Sequence, residues 1–328
     1  MQNAPDVKRT FKNIRDILNK ARLSAVKAVN HAMVVAYWEV GRVIVEEEQK
    51  GKKRADYGDS LIAALSFKLT KEFGTGFAER NLWYMKQFYL AFPKLNALRS
   101  ELSWTHYRLI LRVEKHSARL FYLNEAVNSA WSTRELERQI HSLLYERLAL
   151  SKDRKKLMEL STLGQITQEP QDAIKDPYVL EFLGLKENIL EKDVEMALGD
   201  KLKEFLLELG KGFSFVARQK RITVDGDHYY VDLVFYNYIL KCFFLIDLKV
   251  GKLTHHDIGQ MDFYVRYFEN EVRKGTDNPT VGLILCTAKN EVMAKYTLLS
   301  EKKHVFASKY KLYLPTEDEL KSEIRRRW

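Results

Sequence analysis

The spacing of apolar residues changes partway along the chain, and this change constrains the fold more than any other feature. From Phe11 to Glu48, apolar residues recur at steps of three and four, which is typical of an amphipathic helix. Phe213–Val224 instead alternates, which favours a strand. Between these regions lies a charged and polar stretch with two prolines. The change predicts a helical domain at 1–150, a linker at 151–178 and a mixed domain at 179–328.

The first half is predicted to consist of helices alone. Gly41 is a candidate break in the first helix, Gly74-Thr75-Gly76 separates the second and third, and Pro93 ends the third. Ser132-Thr133 can cap the last helix, with Glu135 in its first turn. The predicted helices cover residues 11–48, 59–73, 78–92, 105–113, 117–129 and 133–150.

The second half mixes both patterns, so the predicted class is α+β overall, with an all-α domain followed by an α/β core. Asp225-Gly226-Asp227 is a turn signal of the kind that joins antiparallel strands. The predicted order is helix, three strands, helix and strand. These elements cover residues 191–209, 213–224, 229–236, 242–250, 255–272 and 281–286, with a further short strand at 310–314.

The positive charge of the chain lies in its first half. Residues 1–160 contain 29 Lys and Arg against 18 Asp and Glu, whereas residues 161–328 contain 25 against 26. A basic domain is typical of a protein that binds a polyanion such as nucleic acid. A helical domain with a basic solvent-exposed face is the alternative that charge alone leaves open.

Three further observations concern the cellular compartment. Apolar runs are too short for a membrane helix, which needs about 18 or more residues. Met1–Thr10 has no apolar core, so we expect no secretory signal. The two cysteines, Cys242 and Cys286, lie in apolar runs and are expected to be reduced core residues. Together these features predict a cytoplasmic protein without membrane contact.

Three ionisable residues interrupt or end predicted apolar strands. Asp232 lies within Val231–Phe235, and Asp247 and Lys249 end the following strand. Positions 247 and 249 point to one face of their strand, and Asp232 meets them if the two strands pair. Two carboxylates at short range repel each other, and a divalent cation removes that repulsion. A partly exposed Asp–Lys pair at a strand end is the alternative.

The order of elements and the spacing of Asp232 from Asp247-Leu248-Lys249 resemble the PD-(D/E)XK nucleases of the restriction-endonuclease-like superfamily. Gln260 and Tyr264 resemble the Gln-x-x-x-Tyr element of some branches. The resemblance covers nearly the whole chain and is greatest to the YhcG-like branch with its own N-terminal domain. The segments that carry it are Tyr37-Trp38-Glu39, Tyr57-Gly58, Phe73-Gly74-Thr75-Gly76-Phe77, Arg80-Asn81-Leu82, Leu102-Ser103-Trp104, Asp176-Pro177-Tyr178, Phe182-Leu183-Gly184-Leu185 and Phe205–Phe215.

This resemblance implies an Mg²⁺- or Mn²⁺-dependent hydrolase of DNA phosphodiester bonds. The residues that match its catalytic positions are Asp232, Asp247, Lys249 and Gln260. Those that match its metal positions are Asp232, Asp247, Leu248 through its backbone carbonyl, and Glu195. For Glu195, an ordinary solvated helix residue is an equal alternative. The branch usually has Glu where this chain has Asp247, which puts activity in question.

A DNA-reading motif is predicted in the first half. Helix 59–73, its following turn and helix 78–92 resemble a helix-turn-helix, in which the second helix contacts DNA. A simple corner of a helical bundle is the alternative. The candidate DNA contacts are Arg80, Asn81, Tyr84 and Gln87, with Tyr264 in the second half.

The resemblance also implies partners. DNA is the expected substrate, whether duplex, branched or single-stranded, and paired cuts in a duplex call for a homodimer. A part in restriction, recombination or defence would bring partner proteins. The non-enzymatic alternative is a catalytically silent nuclease fold that binds DNA or assembles with proteins.

Overall fold

The computed structural model describes residues 7–50, 57–149, 154–185, 190–288, 304–316 and 318–320. The chain divides into two compact units, Met1–Glu137 and Arg138–Trp328. The predicted linker at 151–178 contains two helices and the start of a strand. The predicted domain limits differ from this division and stay a prediction.

The first unit is all helical where it is described. A short 3-10 helix, Thr75–Phe77, lies between α2 and α3, so the predicted helix, turn and helix are present. Whether they read DNA as a helix-turn-helix stays a prediction. The helices are α1 (Val7–Lys50), α2 (Tyr57–Phe73), α3 (Glu79–Ala91), α4 (Trp104–Leu111) and α5 (His116–Asn128), with α6 (Thr133–His141) crossing the boundary between the units.

Gly41 does not interrupt α1, contrary to the predicted break. The helix continues through it to Lys50. A Cβ atom at this position would lie 2.0 Å from the backbone oxygen of Met85 on α3. Gly41 is therefore required for the close approach of α1 to α3, which buries Trp38 and Phe88 in the core of the unit.

The second unit is a six-stranded sheet with helices on both faces. Its helices are α7 (Leu144–Ala149), α8 (Arg154–Leu163), α9 (Pro170–Ala173), α10 (Glu191–Asp200), α11 (Leu202–Leu209) and α12 (His255–Tyr267). Its strands are β1 (Tyr178–Val179), β2 (Phe213–Val224), β3 (Asp227–Asn237), β4 (Cys242–Lys252), β5 (Val281–Ala288) and β6 (Val305–Lys311). The predicted fold class, a helical region followed by a mixed α/β core, is confirmed.

The strand order is β1-β6-β5-β4-β3-β2. Strands β2, β3 and β4 are antiparallel neighbours, and β4, β5, β6 and β1 are parallel. The turn between β2 and β3 was predicted correctly, since Asp225 and Gly226 have φ of 50° and 88°. A two-residue hairpin turn requires such left-handed backbone, and Gly adopts it without a steric cost.

Apolar side chains cover both faces of the sheet. On one face, residues of α10 and α11 such as Val194 and Phe205 pack against Phe244 and Ile246 of β4. On the other face, Met261 and Tyr264 of α12 pack with Leu245 of β4. Strand β4 is thus buried on both sides, so charged residues near its end are held by a rigid element.

Several predicted boundaries shift. The helix predicted at 191–209 is two helices that divide after Asp200, and that at 133–150 divides near Leu143, whose φ is 53°. The last strand begins at Val305, before its predicted start, and β1 was not predicted. Cys242 and Cys286 are buried, and neither forms a disulfide within the described residues, as predicted. No helix in the described part of the chain is long and apolar enough to cross a membrane.

A buried carboxylate stabilises the second unit. Glu208 of α11 is fully buried and lies 2.5 Å from Arg147 and 3.3 Å from Arg138. Burial alone would raise the pKa of Glu208, but Arg147, Lys175 and Arg138 lower that pKa to about 2. The carboxylate therefore ties α7 and α6 to α11 as a charged, hydrogen-bonded group.

Candidate active site

Asp232 of β3 and Asp247 of β4 directly follow the last pair of the β3–β4 ladder. That pair is Leu233 with Ile246. Antiparallel strands run in opposite directions, so the next residues outward are Asp232 and Asp247. Side chains opposite each other have Cβ atoms about 4.5–5.5 Å apart. The pairing thus brings together the two carboxylates, as the sequence predicted.

Both carboxylate oxygens of Asp232 accept hydrogen bonds. The Gln219 Nε2 donates to Oδ1 at 2.9 Å, and the Leu248 backbone N–H donates to Oδ2 at 2.8 Å. One donor comes from β2 and the other from β4, so Asp232 is fixed from both neighbouring strands. Burial raises the pKa of Asp232, and these hydrogen bonds and the charge of Lys249 oppose the rise.

Asp247 is more deeply buried and less well satisfied. It is 2% exposed, and its Oδ2 makes no hydrogen bond within the described structure. The Lys249 ammonium lies 3.0 Å from that oxygen, which is an ion pair by distance. Burial, followed by the neighbouring Asp232 carboxylate, raises the pKa of Asp247 well above its ordinary value. A divalent cation between the two carboxylates would relieve the repulsion that Asp232 adds.

Lys249 is held between two acidic groups. Its Nζ lies 3.0 Å from Asp247 and 3.9 Å from Glu191 of α10. Burial would lower the pKa of Lys249, but the charge of Asp247 and its neighbours raises it. The side chain is therefore a charged ammonium.

Glu195 does not join the two aspartates as a free carboxylate. It lies 2.7 Å from Arg218 of β2, and its side chain is 13% exposed. Within the described ranges, no group of three or more His, Cys, Asp or Glu residues is arranged to hold a metal ion. The role of Glu195 as a metal ligand stays a prediction.

A cleft opens beside Asp232. Its volume is about 580 Å³. Residues of α10, β2 and β3 form its walls: Glu191, Lys192, Glu195, Met196, Arg218, Gln219 and Asp232. The cleft gives a ligand access to the Asp232 side of the carboxylate pair.

Gln260 and Tyr264 form a chain of hydrogen bonds beneath the site. Gln260 Nε2 donates to the Tyr264 hydroxyl at 2.6 Å, and that hydroxyl donates to the Tyr230 carbonyl at 2.8 Å. Tyr264 is fully buried and packs in the core of the second unit. Burial raises the pKa of Tyr264, and the charges of Asp247 and Asp232 add to this. The predicted roles of both residues stay predictions.

The sequence analysis missed Gln219. It lies in the charged run Arg218–Arg221, which reads as a solvent-exposed strand face. The structure shows a left-handed backbone at Gln219, with φ of 49°, and its amide on Asp232. Such backbone in a residue with a side chain is uncommon and costly. No feature of the sequence reveals it.

The predicted DNA contacts of the first unit lie on α3. Arg80 lies over the Tyr84 ring at 5.9 Å, and Arg108 of α4 lies over the same ring at 5.0 Å. The Arg80 guanidinium, in particular, lowers the pKa of Tyr84. Asn81 instead donates to the Gly76 carbonyl at 3.1 Å and fixes the turn. Gln87 is half-buried on the same helix.

The start of α12 is capped by a hydrogen bond. Asp257 accepts from the Thr254 backbone N–H at 2.7 Å. His255 and His256 beside it are exposed.

A mixed sheet whose antiparallel strands present two aspartates and a lysine beside a helix-lined cleft is the core of a PD-(D/E)XK nuclease. The family comparison agrees. Residues 171–325 match the YhcG PDDEXK nuclease domain, and residues 13–147 match the DUF1016 N-terminal domain. The chain belongs to the YhcG PDDEXK nuclease family.

A curated relative supports this membership over the full length. The chain is 38% identical over 342 aligned residues to "Putative nuclease YhcG" of Escherichia coli (strain K12), and the alignment covers 94% of this chain and 91% of the relative. Among solved structures, a repair endonuclease from Pyrococcus abyssi matches at 24% identity and a TM-score of 0.27, covering 40% of this chain and half of that one.

Proposed function

We propose that this nuclease is a divalent-metal-dependent deoxyribonuclease whose metal site is formed by Asp232 and Asp247. The observation that carries the proposal is the pairing of these carboxylates across β3 and β4. The buried Asp247 carboxylate has one ammonium, that of Lys249, at 3.0 Å, while the Asp232 carboxylate beside it raises its pKa. Two carboxylates at this range repel each other, and a divalent cation between them would remove that repulsion.

The donor set fits a hard cation. Carboxylate and carbonyl oxygens are the ligands that Mg²⁺ and Mn²⁺ prefer. Mg²⁺ commonly binds through one or two carboxylates, with waters and substrate phosphate completing its shell. Two aspartates and the Leu248 carbonyl therefore suffice, and no third acidic ligand is required. Glu195 would join only if its ion pair with Arg218 opened.

The protein side chains around the site have distinct tasks in this proposal. Lys249 places an ammonium beside the pair and stabilises charge that develops on the scissile phosphate. Gln219 and the Leu248 N–H hold Asp232 in one orientation. The bound cation supplies Lewis-acid stabilisation of charge on the phosphoryl oxygens. Gln260 and Tyr264 support β3 from below.

The first unit supplies the DNA grip in this proposal. Its excess of Lys and Arg favours contact with phosphates, and each such contact makes binding more dependent on salt. Arg80, Arg108 and Tyr84 form an aromatic and cationic cluster that suits a nucleic-acid backbone. We further propose a cytoplasmic location and a role in restriction, recombination or defence, on family likeness.

Metal binding and cleavage test the proposal together. Calorimetry of the full chain with Mn²⁺ should show a site that Asp232→Ala and Asp247→Ala remove, with tighter binding when a DNA duplex is present. Cleavage of duplex, branched and single-stranded DNA should require Mg²⁺ or Mn²⁺. Asp247→Glu, which restores the acid more usual in the branch, should keep activity or raise it.

Two results would contradict this assignment. Equal metal affinity in the wild type and Asp232→Ala would place the metal elsewhere. If the wild type binds DNA in Ca²⁺ but cuts none of the substrates in Mg²⁺ or Mn²⁺, the fold acts as a binding module.

A further inference from the structure

The first part of α1 carries an uninterrupted heptad pattern. Apolar residues recur at alternating steps of four and three over nine successive positions. They are Val7, Phe11, Ile14, Leu18, Ala21, Ala25, Ala28, Ala32 and Val35. Such a repeat sustained over about four heptads is typical of a coiled-coil seam, in which another helix covers these positions.

The seam faces solvent in this structure. Val7, Phe11, Ile14 and Leu18 are 70%, 64%, 51% and 54% exposed, and the four alanines are exposed as well. From Val34 onward, α1 instead packs into the core of its own unit. The exposed part of the seam therefore runs from Val7 to Ala32. An apolar strip of this length in water is typical of an interaction surface.

We propose that a second copy of this chain covers the seam, with the two α1 helices antiparallel over residues 7–32. The sizes of the seam residues support this register. Large residues occupy the first half of the seam and alanines the second half. An antiparallel pair centred between residues 19 and 20 places each large side chain against an alanine: Val7 with Ala32, Phe11 with Ala28, Ile14 with Ala25 and Leu18 with Ala21.

Large-with-small layers fill the space between two helices without voids. In this register the paired segment covers residues 7–32, which are also the limits of the exposed part of the seam. A parallel pair would instead stack large residues on large ones in its first half and alanine on alanine in its second half, so no single distance between the helices would fit both halves. Packing thus favours the antiparallel arrangement.

The expected interface is modest. Residues 7–32 of a helix span about 38 Å, and a helix is about 10 Å wide. The contact strip is then roughly 400 Å² on each helix and roughly 800 Å² for the pair, which lies below the ~1,200 Å² at which stable interfaces begin. We therefore expect a reversible dimer that depends on concentration.

The charges beside the seam give the dimer a distinctive salt response. Lys8, Arg15 and Arg22 follow the seam along one flank. In the antiparallel pair, Arg15 lies near the partner subunit's Arg22, so like charges face each other. Because salt screens exposed charges beyond about 10 Å at 0.1 M, rising ionic strength should strengthen the dimer. An acidic partner or a nucleic acid on the same face would bind more weakly as salt rises.

The first experiment is sedimentation of the full-length protein over a range of concentrations at low and high salt. Wild type should dimerise more strongly at high salt. Leu18→Asp should weaken the dimer at least tenfold, because it places a charge in the seam. The matched control is Leu23→Asp, which alters an equally exposed leucine, 63% exposed, on the opposite side of the helix. Both sites are exposed, so circular dichroism should show the fold of either variant unchanged.

The second experiment fixes the register. Phe11→Cys and Ala28→Cys are made in separate, size-tagged copies that are mixed under mild oxidation. The native cysteines are buried and therefore shielded from this oxidation. A disulfide between the two kinds of copy, exceeding that within each kind, supports the antiparallel register.

Clear results would overturn the proposal, and none depends on nuclease activity. A wild type that is monomeric at all salt concentrations excludes the second copy as the occupant. If Leu18→Asp and Leu23→Asp weaken the dimer equally, the dimer does not form through this seam. The same conclusion follows if rising salt dissociates the dimer. Disulfides only between like copies would show parallel helices and exclude the antiparallel register.

Discussion

Removal of the Gln219 amide tests whether the orientation of Asp232 matters for cleavage. Gln219→Ala deletes the donor that lies 2.9 Å from Asp232 Oδ1 and leaves the Leu248 N–H on the other oxygen. The carboxylate can then rotate away from the position that faces Asp247. The variant should still fold and bind DNA, because Gln219 lies on a strand that its ladder with β3 holds in place.

The size of the effect follows from the hydrogen bond. A bond to a charged group contributes about 1.5–3 kcal/mol. If the full amount is used to position Asp232 in the transition state, cleavage should slow roughly 10- to 100-fold. Gln219 also has φ of 49°, and left-handed backbone costs a residue with a side chain about 1–2 kcal/mol. Gln219→Gly avoids that cost and should be at least as stable as Gln219→Ala.

The two variants therefore separate orientation from stability. Single-turnover cleavage at saturating Mg²⁺ should be equally slow in Gln219→Ala and Gln219→Gly, whereas thermal unfolding should differ between them. Lys220→Ala, at the exposed neighbouring position, is the control and should cleave like the wild type. If Gln219→Ala cleaves as fast as the wild type, Gln219 does not position Asp232. If the cleavage rates of the two variants instead rank in the same order as their melting temperatures, the substitutions act through stability alone.

Three other substitutions test separate parts of the structure. Lys249→Ala should slow cleavage roughly 10²-fold yet leave DNA binding in Ca²⁺ gel shifts nearly unchanged. If the variant cleaves as fast as the wild type, the active site lies elsewhere. Gly41→Ala should destabilise the protein by about 1–3 kcal/mol in urea unfolding through overpacking, whereas Gly76→Ala, where a Cβ meets nothing within 4 Å, should not. Glu208→Gln should cost about 3–5 kcal/mol by leaving Arg147 buried without its carboxylate. The pKa of Glu208 falls from 4.5 to about 2 on folding, because its carboxylate is stabilised by the neighbouring arginines. The difference in unfolding free energy between wild type and Glu208→Gln should therefore be largest above pH 4.5 and shrink as pH falls toward 2. A difference that does not change with pH would contradict the ion pair.

Local patterns in the sequence predicted the strands that carry the site. Alternation placed β2, β3 and β4, and Asp225-Gly226 placed the turn that sets the register of β2 against β3. The meeting of Asp232 and Asp247 depends on the register of β3 against β4, which is set by the next turn, after Asn237. Elements held by distant partners were less predictable. The two-residue strand β1 forms only because β6, more than a hundred residues later, offers an edge.

The roles of three residues could not be predicted from the sequence, each for a different physical reason. Gly41 reads as a helix breaker, because sequence does not show that α3 passes close enough to exclude a Cβ. Gln219 reads as surface, because its neighbours are charged and its left-handed backbone is set by the sheet around it. Tyr264 reads as a site residue in the helix motif, yet its ring fills the core beneath the strands. In each case the deciding contact is tertiary.

The two carboxylates of the proposed site differ in how they are held, and this difference assigns them different tasks. Asp232 has a donor on each oxygen, so a change in side-chain length there would break two bonds at once. Asp247 has an oxygen with no hydrogen bond and a lysine ammonium as its neighbour, so its position depends on charge more than on geometry. Charge attraction falls off slowly with distance, whereas hydrogen bonds require close alignment. Asp247 occupies the motif position that accepts either Asp or Glu, and it is held by an ion pair, which tolerates a change in side-chain length. Asp232 is held by two hydrogen bonds and fixes the site to the sheet.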